Sequence, residues 1–405
     1  MAGLWSRRRL FQAAFNAASG PTGDVLVVVF LRGGADGLNM VVPFTDEIYY
    51  KQRPTIAIPR PDDRGGENAA GGKVIPLDDS FGLHPALAPF LDLYRAGELL
   101  AIHACGSDDQ TRSHFEAQDL MEHGAPLETG VSGGWLARHL RARPGGSPAA
   151  LAALALGRSI PESLRGAPGA SAVESLGDFQ LGGVEESSRR LRGALAELYA
   201  GESSAVATMG KETLGVLETI DRLRDEVYVP GNGAEYPQGD FARSLREIAR
   251  ILKADVGMEV ACVDLNGWDT HFVQGSAGGL QAGLMAELAG GIAAFRNDLG
   301  GRMKRVCVVV MTEFGRRTYE NVSLGTDHGR GSVMFLLGGG IVGGRVLAKW
   351  PSLAAESLEG PGDLPVTTDY RVVLAEVLDQ RLGNPNLEKV FPGLRAEYLG
   401  VTRAG

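Results

Sequence analysis

The chain has 405 residues, of which 44% are hydrophobic and 22% charged, and this length suits one large folded domain with an insertion, or two domains. Its formal net charge is −9, which disfavours a nucleic-acid partner because such proteins present clustered positive charge. No stretch approaches the roughly 18 consecutive apolar residues that a membrane helix needs, so no membrane span is expected.

The first 23 residues carry a basic cluster ahead of the first predicted strand. Ser6 is followed by three arginines, a leucine and a phenylalanine, which is typical of a twin-arginine export signal. The apolar stretch that follows is short, whereas a signal peptide carries about 7–15 apolar residues before its cleavage site. Two interpretations stay open: a leader for export to the periplasm, or a basic tail on a cytoplasmic protein.

Short apolar runs, each bounded by polar residues, predict strands that are buried on both faces, as in a parallel sheet. They span residues 25–31, 99–104, 151–156, 306–311 and 333–337, and the run at 257–265, which includes Glu259 and Asp264, is also predicted to be a strand. Between about 163 and 254 the pattern changes to leucines at helical spacing with charged faces. This stretch is predicted to be a helical insertion within a domain that spans residues 24–400.

The loop after the second of these runs holds Arg112, Ser113 and His114. Glu116 follows Ser113 by three residues, which is the pattern of a capping box, so a helix cap is the plain interpretation of this serine. A nucleophile is compatible with the same place, because the N-terminus of a helix also favours anions.

Acids and imidazoles recur where other predicted strands end or begin. Asp36 follows the first run, and Asp269 and His271 follow the run at 257–265. Glu313 ends the run at 306–311, and Asp327 with His328 precedes the next. Surface ion pairs and turns are the alternative interpretation of these residues.

Parallel strands would carry all these groups to one edge of the sheet, where they repel each other unless cations lie among them. The candidate metal ligands are Asp36, Asp269, His271, Glu313, Asp327 and His328. Six such ligands could hold two divalent ions, zinc foremost, with manganese, magnesium and calcium as other candidates. Two ions clamp the attacking and leaving oxygens of a displacement at phosphorus or sulfur.

The same reasoning assigns roles to the remaining polar residues. The candidate catalytic residues are Ser113 as nucleophile, with His114, Arg112 and Arg316 beside it. Arg112, Arg316 and Arg32 are candidates to hold the anionic group of a small ester substrate.

Several motifs occur in an order that resembles a known family. They include L-R-G-G-A-D-G-L-N from residue 31, R-S-H-F-E-A-Q-D from residue 112, T-E-F-G-R-R from residue 312 and T-D-H-G-R-G from residue 326. The chain resembles, from residue 24 to about 400, the bacterial family called domain of unknown function 1501. That family is grouped with the alkaline phosphatase and sulfatase superfamily, and many members begin with a twin-arginine leader.

The resemblance implies an α/β fold with a doubly wound, mostly parallel sheet of the alkaline phosphatase-like type. By position, Asp36 looks like the first metal ligand and Ser113 like the nucleophile. Asp269 with His271, then Glu313 and His328, look like the later ligands. Two departures put one metal site in doubt: only Thr270 separates Asp269 from His271, where the superfamily has three residues, and Glu313-Phe314 stands where it has Asp-His.

The expected function is a metal-dependent hydrolase of phosphate or sulfate esters. The first alternative is a non-catalytic protein that binds an anion or a partner, in which these acids pair with arginines and backbone amides. The second is a phosphomutase or transferase, favoured if the helical insertion forms a closing lid.

Overall fold

The computed structural model describes residues 24–63, 72–126, 129–145, 149, 151–176, 185–202, 204–225, 227–395 and 397–403. The predicted leader or tail at residues 1–23 lies outside the described residues.

A mostly parallel sheet of nine strands forms the centre of the protein, as the apolar runs predict. Its strands follow one another in the order β11-β5-β10-β9-β1-β8-β6-β7, and β12 also pairs with β5. A second sheet holds the short strands β2, β4 and β3. The strands are β1 (Val25–Arg32), β2 (Val41–Val42), β3 (Ile75–Pro76), β4 (Gly82–Leu83), β5 (Leu99–Gly106), β6 (Ala153–Leu156), β7 (Ala170–Val173), β8 (Val260–Asn266), β9 (Val306–Thr312), β10 (Ser332–Gly338), β11 (Arg345–Leu347) and β12 (Thr368–Asp369).

Strand β10 runs against its neighbours in the large sheet. It pairs antiparallel with both β5 and β9, whereas β1 pairs parallel with β8 and β9. The start of β10 therefore lies at the edge where β1, β5, β8 and β9 end. This reversal brings the residues before β10 together with the residues after the parallel strands.

Helices cover both faces of the sheet, because alternate residues of each strand point to opposite sides. Val27 and Val29 of β1 belong to one core, and Leu26 and Val28 belong to another. The helices are α1 (Gly37–Met40), α2 (Glu47–Gln52), α3 (Phe90–Arg95), α4 (His114–His123), α5 (Trp135–Ala142), α6 (Glu185–Ala200), α7 (Ala205–Asp225), α8 (Asp240–Lys253), α9 (Leu280–Leu299), α10 (Tyr370–Gln380) and α11 (Leu387–Val390).

The first core includes residues of α8 and α9, and the second includes residues of α5 and α10. In the described part of the chain, no helix combines the length and the apolar character needed to cross a membrane.

The stretch predicted as a helical insertion, 163–254, contains more than helices. Strand β7 lies inside it and pairs with β6, so this part belongs to the sheet. Helices α6 and α7 contact each other, while α8 contacts α9 and β8. Phe241, Leu245 and Ile248 of α8 are buried in the first core. Helix α8, the last of the stretch, therefore belongs to a layer of helices that covers one face of the sheet.

Candidate functional site

Three histidines from separate parts of the chain surround the carboxylate of Asp269. The Nε2 atoms of His271 and His328 lie 3.0 and 3.1 Å from Asp269 Oδ1. His114 Nε2 lies 3.4 Å from the same oxygen. The Nε2 atoms of His271 and His328 are only 2.9 Å apart. These four residues are called the histidine cluster below.

The topology of the sheet explains why they meet. His114 begins α4, in the connection that follows β5, and Asp269 and His271 follow β8. His328 comes four residues before β10, whose reversed direction places it at the same edge. The presence of His328 at this edge therefore depends on one antiparallel strand.

The other ring nitrogen of each histidine faces an acceptor. His114 Nδ1 lies 2.8 Å from Glu313 Oε1, and His328 Nδ1 lies 2.8 Å from the carbonyl oxygen of Arg112. His271 Nδ1 lies 3.5 Å from an oxygen of Asp327. A carboxylate or carbonyl oxygen only accepts, so a neutral ring that donates from Nδ1 keeps a lone pair on Nε2.

This arrangement fits a divalent metal ion. The Nε2 atoms of the three histidines lie within 3.4 Å of one oxygen of Asp269, and His114 Nε2 is buried without a hydrogen-bond partner. Among the described residues, His114, Asp269 and His328 each offer a ligand atom within 4.8 Å of the others. Imidazole nitrogens with one carboxylate oxygen are ligands that zinc prefers, and outward hydrogen bonds from Nδ1 fix the ring orientation of metal-binding histidines.

Glu313 orients His114 from a buried position. Its Oε1 accepts hydrogen bonds from the Gln118 side chain at 2.8 Å and from the backbone of Gly33 at 2.9 Å, besides facing His114. Gly33 has φ of +121°, and a Cβ there would lie 2.5 Å from the Asp269 nitrogen, so glycine is required for this close approach. The ring centroid of Phe314 lies 4.8 Å from those of His114 and His328.

Both carboxylates are held in the ionised form. Burial would raise the pKa of Asp269, but the hydrogen bond and charge of Arg316 hold it well below its usual range. Burial also opposes ionisation of Glu313, and the hydrogen bonds from His114 and Gln118 lower its pKa. Burial lowers the pKa of His328, whereas the hydrogen bond to Glu313 raises that of His114.

Asp327 supports His271 from the outer side. Its carboxylate accepts from Asn321 Nδ2 at 3.0 Å and from Arg317 Nη1 at 3.2 Å. The hydrogen bond from Asn321 lowers the pKa of Asp327, and the charge of Arg317 adds to the effect. Asp327 and Glu313, both predicted as metal ligands, therefore lie behind imidazole rings, facing their Nδ1 atoms.

The family model described as "Protein of unknown function (DUF1501)" matches residues 24–381. The chain belongs to the DUF1501 family. The match includes all four residues of the histidine cluster and the acceptors that orient their rings. Comparison with curated proteins gives no match.

In this DUF1501 protein Asp36 does not join the histidine cluster. Arg53 donates to both of its oxygens, at 2.6 and 3.0 Å, and Gln274 donates to Oδ2 at 2.7 Å. The side chains of Asp36 and Arg53 are both 0% exposed. The carboxylate predicted as the first metal ligand therefore already has a cation, the Arg53 guanidinium.

The arginines predicted to hold an anionic substrate are also paired within the protein. The guanidinium of Arg112 pairs with Asp363, with Nε 2.9 Å from Oδ2. Arg316 is buried, donating to the carbonyl oxygen of Gly34 and to Asp269 Oδ1.

Arg32 is paired in the same way. Its guanidinium forms ion pairs with Glu122 and Asp264, each with a shortest distance of 3.0 Å. All three arginines of this DUF1501 protein thus form ion pairs within the chain, near the histidine cluster.

Ser113 is the N-terminal cap residue of α4 by position, but its side chain makes no capping hydrogen bond. The capping-box bond that the sequence pattern predicts is thus absent. Ser113 is half-buried and lies between Arg112, whose carbonyl faces His328, and His114. Its hydroxyl is therefore not committed to the helix end.

Three residues that sequence reasoning missed shape this site: Arg53, Gln118 and Gln274. Gln118 lies four residues after His114 on α4, so helical spacing could have found it on the same face. Arg53 follows α2 and Gln274 follows the Asp269 loop, and no local pattern connects either residue with Asp36.

Proposed function

We propose that this chain is a metal-dependent hydrolase of phosphate or sulfate esters, with one divalent ion, zinc foremost, held by the histidine cluster. The convergence of the Nε2 atoms of His114, His271 and His328 on Asp269 Oδ1 carries the proposal. With neutral rings protonated at Nδ1, this grouping places imidazole lone pairs against one another and against a carboxylate. A bound divalent ion supplies Lewis acidity, which polarises an ester oxygen and stabilises charge in the transition state.

A single ion replaces the pair expected from the sequence. Arg53 lies 2.6 Å from Asp36 and is fully buried with it, so a second divalent ion beside Asp36 would meet a fixed positive charge. The two departures from the superfamily pattern, at Thr270 and at Glu313-Phe314, agree with the change of one metal site. The order of the motifs along a mostly parallel sheet supports the alkaline phosphatase-like type of fold.

The residues of the chain have distinct roles in this proposal. Glu313, Asp327 and the carbonyl of Arg112 hold the imidazole rings in place, and Arg316 holds Asp269. Ser113 is the candidate nucleophile, because its hydroxyl is not used as a cap. The N-terminus of the ten-residue α4 next to it favours the anionic phosphoryl or sulfuryl group.

A second candidate function, a protein that binds an anion or a partner without catalysis, is favoured by the acid–arginine pairs. Asp36 pairs with Arg53, Asp269 with Arg316, and Asp327 with Arg317. Such pairing is what this alternative predicts. The imidazoles of the histidine cluster have no role in it, whereas they are the ligands of the metal-dependent proposal.

The test combines metal content with ester hydrolysis. Protein stripped with a chelator and reloaded with zinc is assayed with p-nitrophenyl phosphate and p-nitrophenyl sulfate. His114→Ala, Ser113→Ala and the control His123→Ala, at the other end of the same helix, are assayed alongside. We expect zinc and hydrolysis to disappear in His114→Ala, hydrolysis alone to disappear in Ser113→Ala, and both to persist in His123→Ala.

Two other results decide between the candidates. Stoichiometric zinc without hydrolysis of either ester would leave the binding protein as the better account. Failure of the wild-type protein to bind zinc, manganese, magnesium or calcium would sink the metal-dependent proposal.

A further inference from the structure

Large apolar side chains stand exposed next to residues of the histidine cluster in the sequence. Phe115 follows His114 directly and is 84% exposed, and Phe272 and Val273 follow His271 with 71% and 68% exposed. Val322 and Leu324, also exposed, lie in the loop that leads to Asp327. These five residues, Phe115, Phe272, Val273, Val322 and Leu324, are called the apolar rim below. Grouped apolar exposure of this kind marks a binding surface.

Hydrogen bonds fix two loops of the rim, those of Val273 and Leu324, relative to the cluster. The backbone nitrogen of Val273 donates to Ser323 at 2.9 Å, and that of Gln274 donates to Leu324 at 2.9 Å. Asn321 then donates from Nδ2 to the carbonyl of His271 at 3.1 Å. The two loops of the rim are thus joined to each other and to one of the cluster histidines.

Each of these two loops also has one apolar residue with a positive φ angle. Val273 has φ of +43° and Leu324 has φ of +60°, both in the left-handed region. This region is unfavourable for residues with a Cβ, and most of all for a β-branched residue such as valine. Such outliers cluster where loops clamp a ligand. The chain thus carries apolar side chains at two positions where glycine would fit with less strain.

The charges around the cluster favour a ligand whose part beyond the ester group is apolar rather than ionic. The guanidinium groups of Arg112, Arg316 and Arg317 all pair with acids of the chain. The sequence as a whole carries a net charge of −9. A ligand bound at the cluster therefore meets apolar surface as it extends outward.

We propose that the apolar rim binds an alkyl or aryl group of the ester on which the histidine cluster acts. The substrate class is then a phosphate or sulfate monoester of a hydrophobic alcohol. Highly polar esters such as sugar phosphates would leave the rim in water. This inference rests on the proposed function for its reaction, but not for its binding, so the two can be tested separately.

The test is a binding measurement that needs no turnover. Zinc-loaded protein is titrated by calorimetry with ethylphosphonate and octylphosphonate, which are non-hydrolysable, with the octyl compound kept below its micelle concentration. We expect octylphosphonate to bind at least about tenfold more tightly, because partial burial of a few methylene groups accounts for such a factor.

A double variant and a matched control locate the effect. Phe115→Ser with Phe272→Ser should reduce octylphosphonate affinity about five- to tenfold and change ethylphosphonate affinity less than twofold, with zinc content unchanged. The control is Val227→Ser with Val229→Ser, which removes two apolar side chains of 91% and 75% exposure. The control pair lies far from the rim. Tyr228, between the two valines, donates a hydrogen bond to Asp298 near the C-terminal end of the 20-residue α9, whereas the first turn of α9 lies beside Gln274. The two ends of this helix are about 25–30 Å apart.

The outcomes separate the inference from the function on which it builds. Equal affinity for both phosphonates, or equal loss in the control, would overturn the rim's role even if esters are hydrolysed. Chain-length dependence that the double variant abolishes would support it even if no ester is hydrolysed. Two further results, seen without chain-length dependence, would contradict the inference. If the double variant no longer binds phosphatidylcholine vesicles, the rim binds a lipid surface. If the double variant no longer forms a dimer, the rim binds a second copy of the chain.

Discussion

Asp36 and Asp269 follow neighbouring parallel strands, β1 and β8, and the sequence predicts both as metal ligands, yet their surroundings differ. Arg53 covers both oxygens of Asp36, and neither side chain is exposed. Asp269 meets Arg316 at one oxygen only, and 46% of its side chain is exposed. The Nε2 atoms of three histidines approach that same oxygen.

The difference shows that acids at the ends of neighbouring strands can have different partners: Asp36 has an arginine, and Asp269 has imidazoles as well as an arginine. Around Asp36 the charges balance, with one carboxylate against one guanidinium and amide hydrogens from Gln274. Around Asp269 there is a surplus of lone pairs, because each histidine turns its Nδ1 outward to an acceptor. The proposed metal ion would add positive charge beside Asp269, where Arg316 meets one oxygen only, whereas Arg53 already covers both oxygens of Asp36.

Removing two of the histidines is expected to have the largest effect on zinc binding. His114→Ala with His328→Ala should weaken zinc binding more than about 1,000-fold, since loss of an outer partner alone costs about 10–100-fold. Asp36→Asn should leave zinc affinity within about threefold of wild type, because Arg53 already occupies that carboxylate. Competition with a zinc-chelating dye measures both. Equal losses in the two variants would mean that Asp36 is a ligand after all.

The Asp36 region should respond in stability instead. Arg53→Met leaves a buried carboxylate without its cation, so unfolding free energy should fall by about 3–5 kcal/mol. Urea denaturation monitored by circular dichroism gives this value. Arg302→Met, which removes an exposed pair with Asp255, is the matched control and should cost less than about 1 kcal/mol. Similar losses in the two variants would deny the Asp36–Arg53 pair its structural role.

A substitution of Glu313, which faces Nδ1 of His114, is expected to have a smaller effect on zinc binding. Glu313→Gln keeps the size of the side chain but removes the charge that orients the His114 ring. Zinc affinity should fall about 10–100-fold, or about 1.4–2.7 kcal/mol, as for other carboxylates that accept a hydrogen bond from a metal-binding histidine. Titration of the stripped variant with zinc measures the loss. Complete loss of zinc would instead make Glu313 a direct ligand, as the sequence first suggests.

The smallest effect is expected at Ser113. Loss of a serine that caps a helix typically costs about 1 kcal/mol. Because the Ser113 side chain makes no capping bond, Ser113→Ala should change the unfolding free energy by less than about 0.5 kcal/mol. Thermal and urea denaturation of the variant measure this. A loss near 1 kcal/mol would show that the hydroxyl serves the helix in solution and is not kept free for chemistry.

Much of the fold was predictable, because short runs rich in valine, leucine and alanine leave few alternatives to a buried strand. Those runs form β1, β5, β6, β8, β9 and β10. The run Ala170–Val173 of β7 contains small residues and a serine, so it gives little signal. The direction of β10 was not predictable, since the pairing of a strand depends on distant neighbours. That direction decides whether His328 reaches the same edge as Asp269.

The site was predictable in its residue types but less in its roles. Strand ends indicate which acids and imidazoles gather, and Asp269, His271 and His328 do lie together. Whether an acid faces the centre or stands behind a ring depends on side-chain rotamers, which sequence spacing does not give. Glu313 and Asp327 stand behind His114 and His271 for this reason. The partner of Asp36 is Arg53, which comes from another helix end without a local pattern.

The most direct test locates the ion itself. Crystals of the zinc-loaded protein, measured above and below the zinc absorption edge, give an anomalous difference map that shows where the metal lies. The account predicts one strong peak at about 2.0–2.2 Å from the Nε2 atoms of His114, His271 and His328 and from an Asp269 oxygen. A peak at Asp36, two peaks along the sheet edge, or no peak in crystals with saturating zinc would contradict it.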